Sequence, residues 1–133
     1  MKIQTKLAFF CALFLSTSCT HLTHQEKMQW RELENLGIRD NDQNAVASPG
    51  GAAALNILPG IGNFYLAAGN GGDSAHWVYG TLNLLTWPLS ILWGIPEAAI
   101  DAGTINKREI IYYYHFDSKG KIEFKKLEKD SKE

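Results

Sequence analysis

Two carboxylates near the end of the apolar middle of this chain have a spacing that suits acid–base chemistry. Glu97 and Asp101 stand four positions apart, so on a helix both side chains project from one face. Such a pair could transfer protons or bind a cation. It is also what the solvated end of a helix presents, where Lys107 and Arg108 would serve as ionic partners. Because no recognised catalytic motif accompanies the pair, no catalytic residue is predicted.

The histidines offer no metal site. They have no companion cysteines or carboxylates at ligand spacing, and they stand at His21, His24, His76 and His115. The chain also lacks a Gly-x-Ser-x-Gly motif, a phosphate-binding loop and a Cys–His pair. The sequence therefore predicts a protein that is not an enzyme and that needs neither a metal nor another cofactor.

The N-terminal residues predict a covalent lipid attachment. Lys2 and Lys6 precede a short apolar run at 7–15, and three small residues then lead into Cys19. A charged start, a short apolar segment and small residues before a cleavage site are typical of a secretory signal peptide. A cysteine directly after the cut is where bacterial lipoproteins carry lipid. We therefore expect a signal at 1–18, lipid on Cys19, and a position in the bacterial cell envelope, membrane-anchored and facing the periplasm.

The cysteine count fits this expectation, with one departure from the usual motif. Cys11 falls in the signal, so the mature chain would keep one cysteine, which cannot form an internal disulfide. Lipoprotein signals usually place leucine three positions before the cysteine, whereas this chain has Ser16 there and Leu15 one place earlier. The alternative is an ordinary secretory signal cut near Ser18 that leaves Cys19 as a free thiol.

Charge is distributed unevenly along the chain. The formal net charge is -1, and the basic residues near the C-terminus are mixed with acidic ones, so no nucleic-acid partner is expected. Between Arg39 and Lys107 there is no Lys or Arg, although three of the four tryptophans lie in this stretch, at Trp77, Trp87 and Trp93. The middle of the chain therefore suits an apolar environment.

A short amphipathic helix is predicted within the segment 19–48, which also holds the anchor and a polar linker. Thr23 and Glu26 form a capping-box pattern at its start, and Gly37 is a suitable residue to end it. Apolar residues recur at helical spacing, at Trp30, Leu33 and Leu36. This helix would either lie at the membrane interface beside the lipid or pack its apolar face on the rest of the domain.

The segment 49–106 is predicted to form an apolar helical hairpin. Ser48 before Pro49 resembles an N-cap followed by proline at the first helical position. The first helix is interrupted at Pro59 and Gly60, where the chain should kink or break.

The second helix of this hairpin should run from about Ala75 toward Ala102, with kinks at Pro88 and Pro96. It follows a turn formed by glycine and asparagine at 69–72. Its apolar stretch is close to the ~20 residues that cross a bilayer core.

The same segment resembles the two-transmembrane hairpin domain family over residues 52–105 or thereabouts. The resemblance lies in 58–66, 77–94 and 99–102. Its most specific part is Gly60 and Gly62 leading into Phe64-Tyr65-Leu66, while Asn63 stands where the family commonly has a basic residue. The resemblance implies a membrane hairpin and no particular activity. The alternative from the residues alone is a shallow hairpin, or a buried helical pair in a periplasmic domain that is not inserted in the membrane.

The last part of the chain alternates apolar and polar side chains and predicts a β-hairpin at 107–127. Ile110, Tyr112, Tyr114 and Phe116 would face one side of the first strand, with a turn at 117–120. Two strands alone are marginal in water, so the aromatic face must pack on something. Tyr112, Tyr114 and Phe116 are candidates to bind a partner, or they cover the domain's own helices. The charged tail at 128–133 is expected to be disordered.

Together these patterns predict a mainly α fold with a small C-terminal β-hairpin. The expected role is structural or interactive, in a lipid-anchored protein whose partners are membrane lipid and an envelope protein. The alternative is a periplasmic lipoprotein whose soluble domain binds an apolar ligand or a partner protein. No oligomeric state follows from the sequence.

Overall fold

The computed structural model describes residues 20–41, 43–69 and 73–132 of the chain. These residues form helices and no strand, in the order α1 (His24–Asn35), α2 (Pro49–Leu55), α3 (Ile61–Ala68), α4 (Ala75–Leu85), α5 (Ile91–Phe116) and α6 (Ser118–Asp130). The expected signal peptide and Cys19 lie outside the described residues. Helix α5, with 26 residues, is the longest of those described and packs against α1, α2, α3 and α6.

The capping box predicted at the start of α1 is confirmed. Glu26 N donates to Thr23 Oγ1 at 3.2 Å, and Thr23 N donates to Glu26 Oε2 at 2.6 Å. Each bond satisfies a main-chain donor that the first turn of a helix leaves without a partner. Gly37 ends the helix with a φ of 85°, a left-handed conformation that glycine adopts without strain.

The apolar middle folds as two short helical hairpins rather than one. Ser48 caps α2 by accepting from Gly51 N at 3.1 Å, and the first break falls at 56–60, where Gly60 has a φ of 83°. The second break falls at 86–90, between α4 and α5, and Pro96 lies inside the continuous α5. Within the described part of the chain, no helix combines the length and the apolar character that crossing a membrane requires.

The C-terminal β-hairpin predicted from the sequence is wrong. The residues expected to form two strands, 107–127, instead continue α5 and form most of α6. The chain does reverse near the expected turn, but Asp117 ends α5 and caps α6 by accepting from Lys119 N and Gly120 N. Helix α6 extends to Asp130, past the point where a disordered tail was expected to begin.

The β-hairpin prediction failed because the apolar residues of 110–116 fit both the two-residue period of a strand and the period of a helix. The structure buries Ile110, Ile111 and Tyr114, which is the i, i+1, i+4 pattern of a helix, and leaves Tyr112 exposed. Because residues 110–116 continue α5, each of them adds a main-chain hydrogen bond without the cost of nucleating a new helix. The aromatic run therefore extends an existing helix instead of starting a sheet.

Helix α5 joins two regions with different cores. The aromatic-core region comprises residues 20–41 and 107–132, and its buried apolar side chains are Trp30, Leu33, Ile38, Ile110, Ile111 and Tyr114. The hairpin region comprises residues 49–106, and its buried apolar side chains are Ala52, Leu66, Ala98, Ala102 and Ile105. Most of the second core is alanine, so other side chains fill the interior of the hairpin region.

Candidate functional site

The interior of the hairpin region is lined by polar side chains. We call this set the polar interior, and its members, all at most 4 % exposed, are Asn56, Asn63, His76, Asn83, Glu97 and Asp101. They come from the end of α2 and from α3, α4 and α5, so every helix of the hairpin region contributes. Buried polar groups of this kind are costly unless they find partners, which makes their contacts informative.

Asn56 joins the two hairpins. Its side-chain amide donates to the main-chain oxygen of Gly94 in α5, and its Oδ1 accepts from Gly62 N in α3 at 3.1 Å. Gly94 permits this approach, because a Cβ there would lie 2.8 Å from Asn56 Nδ2 and 3.2 Å from Asn83 Nδ2. A single amide therefore connects α2, α3 and α5 where the first break begins.

Asn83 bonds residues on the far side of the second break. Its main-chain oxygen accepts from Ser90 Oγ at 2.7 Å, and its Oδ1 accepts from Trp93 Nε1 at 3.0 Å. These contacts hold the residues on both sides of the turn at 86–90 together. Asn83 and the buried Ser90 therefore fix the turn from inside, while residues 86–89 face outward.

His76 and Asp101 form a fully buried pair, with 3.8 Å between His76 Nδ1 and Asp101 Oδ2. Burial lowers the pKa of His76 below its ordinary value, although the nearby carboxylates of Asp101 and Asp73 oppose the shift. Burial also raises the pKa of Asp101, against the hydrogen bonds that it accepts from Thr20 and the attraction of His76. Both shifts favour the uncharged forms of the pair.

Several atoms of the polar interior have no hydrogen-bond partner among the described residues. They are both amide atoms of Asn63, Nε2 of His76 and Nδ2 of Asn83. Each such buried atom costs about 1–3 kcal/mol relative to a satisfied one. The hairpin region therefore encloses more polar atoms than the hydrogen bonds among its described residues satisfy.

The surface of the hairpin region is the reverse of its interior. Its exposed large apolar side chains are Leu55, Ile57, Leu58, Ile61, Tyr65, Trp77, Val78, Leu84, Leu85, Trp87, Leu89, Leu92 and Ile100. Several stand at the two breaks, which the bond from Asn56 to Gly94 places at the same end of the region. Exposed large apolar side chains in this number are typical of surfaces that contact a membrane or another protein.

The residues that the sequence singled out do not converge on one site. Tyr114 is buried in the aromatic core, whereas Tyr112 and Phe116 are exposed and stack with 5.7 Å between their ring centroids. Tyr112 also lines a shallow groove of about 480 Å³ beside α6. The three candidate partner-binding residues therefore do not share a surface.

Glu97 and Asp101 do share a helix face, as their spacing predicts, but that face points into the polar interior. The alternative partner Arg108 is engaged elsewhere, with 3.0 Å between its Nε and Glu26 Oε1. Among the described residues, no three His, Cys, Asp or Glu side chains come together as metal ligands would. The pair thus belongs to the enclosed part of the hairpin region rather than to a solvated helix end.

Sequence reasoning assigned no site role to Asn63, His76 or Asn83. A signal for two of them was present, because His76 and Asn83 stand seven positions apart and therefore lie on one face of α4. Polar residues at that spacing in an otherwise apolar segment indicate an apolar helix whose polar side turns inward. Asn63 carried no such signal, since α3 is short and Asn63 is its one strongly polar side chain.

Comparisons with protein-family models, with curated proteins and with solved structures give no match. The resemblance to the two-transmembrane hairpin domain family therefore stays a prediction from the residues that carry it. The inverted polarity of the hairpin region is the observation on which a functional proposal can rest.

Proposed function

We propose that this chain is a lipid-anchored protein of the bacterial cell envelope whose hairpin region inserts into one membrane leaflet, in a structural or interaction role. The observation that carries the proposal is the inverted polarity of that region, with polar side chains inside and large apolar side chains outside. In water this arrangement is unfavourable on both counts, because it exposes apolar area and buries polar atoms. In a lipid environment, exposing apolar side chains and enclosing polar atoms are both favourable.

The distribution of the exposed side chains gives the insertion a direction. Leu85 and Leu92 flank the second break and are 75 % and 79 % exposed, and Ile57 and Leu58 lie in the first break. Both breaks are at one end of the region. Helix α4, with 11 residues, is roughly 16 Å long, close to half of a hydrocarbon core of about 30 Å. The two breaks would therefore lead into the leaflet.

The packing inside the hairpin region supports the same proposal. Helices in lipid associate through small residues that let their backbones approach closely. Gly60 faces the main chain of Gly80, and a Cβ on Gly62 would clash with the main chain of Ala52. Gly80 in turn makes room for the ring of Phe64. Three glycines thus hold the helices of the two hairpins in close contact.

The deciding experiment is alkaline extraction of membranes from cells that express Cys19→Ala behind a cleavable signal peptide. The unlipidated chain should stay with the membranes, because the hairpin region alone retains it. Leu85→Asp together with Leu92→Asp should release it, since each charge costs roughly 2–3 kcal/mol in a hydrocarbon environment. Ile122→Asp is the matched control, because Ile122 is 71 % exposed on α6, in the aromatic-core region.

Release of the Cys19→Ala chain with native folding would contradict membrane insertion. The same apolar surface would then cover a partner protein or an apolar ligand, which is the alternative function. Retention that the two Asp substitutions do not affect would also contradict the proposal, because it would place the membrane contact elsewhere.

A further inference from the structure

Three side chains of α5 hold the beginning of the described chain. Thr20 N and Thr20 Oγ1 both donate to Asp101 Oδ1, at 2.7 and 2.5 Å. Thr104 Oγ1 donates to Thr20 O at 3.2 Å, and Arg108 Nη2 donates to His21 O at 2.9 Å. Since these side chains stand three and four positions apart, they follow one face of the helix. Residues 20 and 21 therefore lie lengthwise along α5.

Asp101 is the buried member of this set, and its contacts show what it holds. It is fully buried, and Oδ1 takes both bonds from Thr20. Its Oδ2 lies 3.8 Å from His76 Nδ1 and accepts no hydrogen bond from the described residues. Asn56 ties the hairpins to one another, whereas the bonds accepted by Asp101 come from the N-terminal segment. Asp101 thus binds the N-terminal segment.

The place of this contact matters because Thr20 directly follows Cys19 in the chain. The residues beside the buried pair expose large apolar side chains. Ile100 precedes Asp101 and is 52 % exposed, and Trp77, next to His76, is exposed as well. Thr20, the residue after Cys19, therefore lies next to the apolar surface of the hairpin region.

We propose that Asp101, with His76 behind it, is a docking site for the lipid-bearing N-terminus, which holds the acyl chains of Cys19 along Ile100. This inference rests on the lipid anchor of the proposed function and adds where on the domain that lipid lies. The lipid and the hairpin surface would then enter the same leaflet as one unit, without the loose tether that usually separates a lipid from its domain. Asp101 acts as a positioning residue in this arrangement.

Intramolecular photo-crosslinking tests the position of the lipid. Ile100→p-benzoylphenylalanine is introduced into the full processed chain, which is irradiated in detergent micelles, digested and analysed by mass spectrometry. The expected product joins the peptide containing residue 100 to the acyl group on Cys19 of the same molecule. The same substitution at Ile122 is the matched control, because that side chain is even more exposed but lies on α6. It should yield at least about tenfold less adduct.

The docking contact is tested in the same assay with Thr20→Val, which keeps the size of the side chain and removes the hydroxyl bond to Asp101. Loss of this hydrogen bond should lower the adduct at residue 100 by up to about tenfold. Asp101→Ala should lower it further. Thr81→Val is the control, because among the described residues the Thr81 hydroxyl bonds within its own helix, to Trp77 O at 2.8 Å. Hydrogen exchange of the Thr20 amide, which Asp101 should protect, verifies the contact if Asp101→Ala does not fold.

Two results would overturn the inference. Equal adduct at residues 100 and 122 would show that the lipid is not held beside Asp101, and an adduct that Thr20→Val leaves unchanged would show that the contact does not hold it. The failures of the two proposals are distinguishable. A chain without an acyl group on Cys19 contradicts the proposed anchor and this inference together, whereas an acylated chain without an adduct contradicts this inference alone. Because the assay uses micelles, failed membrane insertion does not affect it.

Discussion

The hairpin region and the aromatic-core region share α5 and bury opposite kinds of side chain. Around the second half of α5, Trp30, Leu33 and Ile110 are inside, and the lysines of α6 are outside. Around its first half, amides and a His–Asp pair are inside, while leucines and tryptophans are outside. One continuous helix therefore packs in two cores of opposite polarity. The difference shows that helical periodicity sets which residues share a face, while the helices that pack on α5 decide which face turns inward.

The two regions meet at Asn106. Its Oδ1 accepts from Val46 N at 3.0 Å and Ala47 N at 2.8 Å, and its Nδ2 donates to Ala47 O at 2.8 Å. This fully buried amide binds the linker that leads from α1 into α2. The linker is thus fixed on α5 at the point where the character of the core changes.

The largest expected effect contrasts two leucines. Leu33→Ala should lower the free energy of unfolding by about 2–5 kcal/mol, because Leu33 is fully buried in the aromatic core. Leu92→Ala should change it by less than about 0.5 kcal/mol in detergent, because Leu92 lies on the surface. Urea unfolding followed by circular dichroism measures both.

The order of the two effects should reverse when membrane retention is measured instead of stability. Leu92→Ala should weaken the retention of the unlipidated chain by membranes, and Leu33→Ala should not, as long as it remains folded. A Leu92→Ala variant as destabilised in detergent as Leu33→Ala would remove the contrast between the two regions.

The next effect concerns close packing in the hairpin region. Gly60→Ala should destabilise the protein by roughly 2–4 kcal/mol, because its φ of 83° is strained for alanine and its Cβ would meet the Gly80 carbonyl. Gly103→Ala, which meets nothing within 4 Å inside α5, should instead stabilise it by about 0.5–1 kcal/mol. Thermal unfolding in detergent compares them, and equal effects would contradict the close approach of the hairpins.

A smaller effect separates two buried amides. Asn56→Leu should cost about 1–3 kcal/mol, because Gly94 O and Gly62 N lose their bonds to the side chain. Asn63→Leu should be neutral or stabilising, because neither amide atom of Asn63 has a partner among the described residues. A large loss of stability in Asn63→Leu, measured by urea unfolding, would indicate that Asn63 binds a ligand or ordered water.

The free energy of unfolding should depend on pH because of the buried pair His76 and Asp101. Burial lowers the pKa of His76 below its ordinary value of 6.5, so the unfolded chain binds a proton that the folded chain does not. Stability should therefore rise as the pH approaches 6.5 from below. Burial raises the pKa of Asp101 above its ordinary value of 3.8, so stability should fall as the pH rises from 3.8.

Two variants assign these slopes. His76→Gln should remove the rise toward pH 6.5, and Asp101→Asn should remove the fall above pH 3.8, in urea unfolding repeated across this range. If the slopes survived both substitutions, titratable groups other than His76 and Asp101 would have to cause them, and the buried pair would not account for the pH dependence.

Local signals in the sequence predicted the starts of α1 and α2 and the break between α2 and α3. The capping box at Thr23 and Glu26 and the Ser48–Pro49 start are confirmed, and the chain breaks at Pro59 and Gly60 as expected. These features depend on main-chain hydrogen bonds and dihedral angles within a few residues. Their physical cause is therefore contained in the sequence next to them.

The β-hairpin prediction failed because its evidence was also local. Alternation over 110–116 fits a strand, but the same residues fit a helix, and α5 continues through them. Gly120 settles the packing of α6, since a Cβ there would clash with the main chain of Tyr113. No pattern within 107–127 shows that contact.

The sequence by itself determined where α1 and α2 begin, that the chain breaks at Pro59 and Gly60, and that residues 40–106 carry no Lys or Arg. Only the tertiary structure decided that Asn63, His76 and Asp101 turn inward and that Thr20 binds Asp101. The reason is distance along the chain. Caps and breaks are set by neighbours, whereas the bond from Thr20 to Asp101 joins residues 81 positions apart, which meet only when α5 packs against the N-terminal segment.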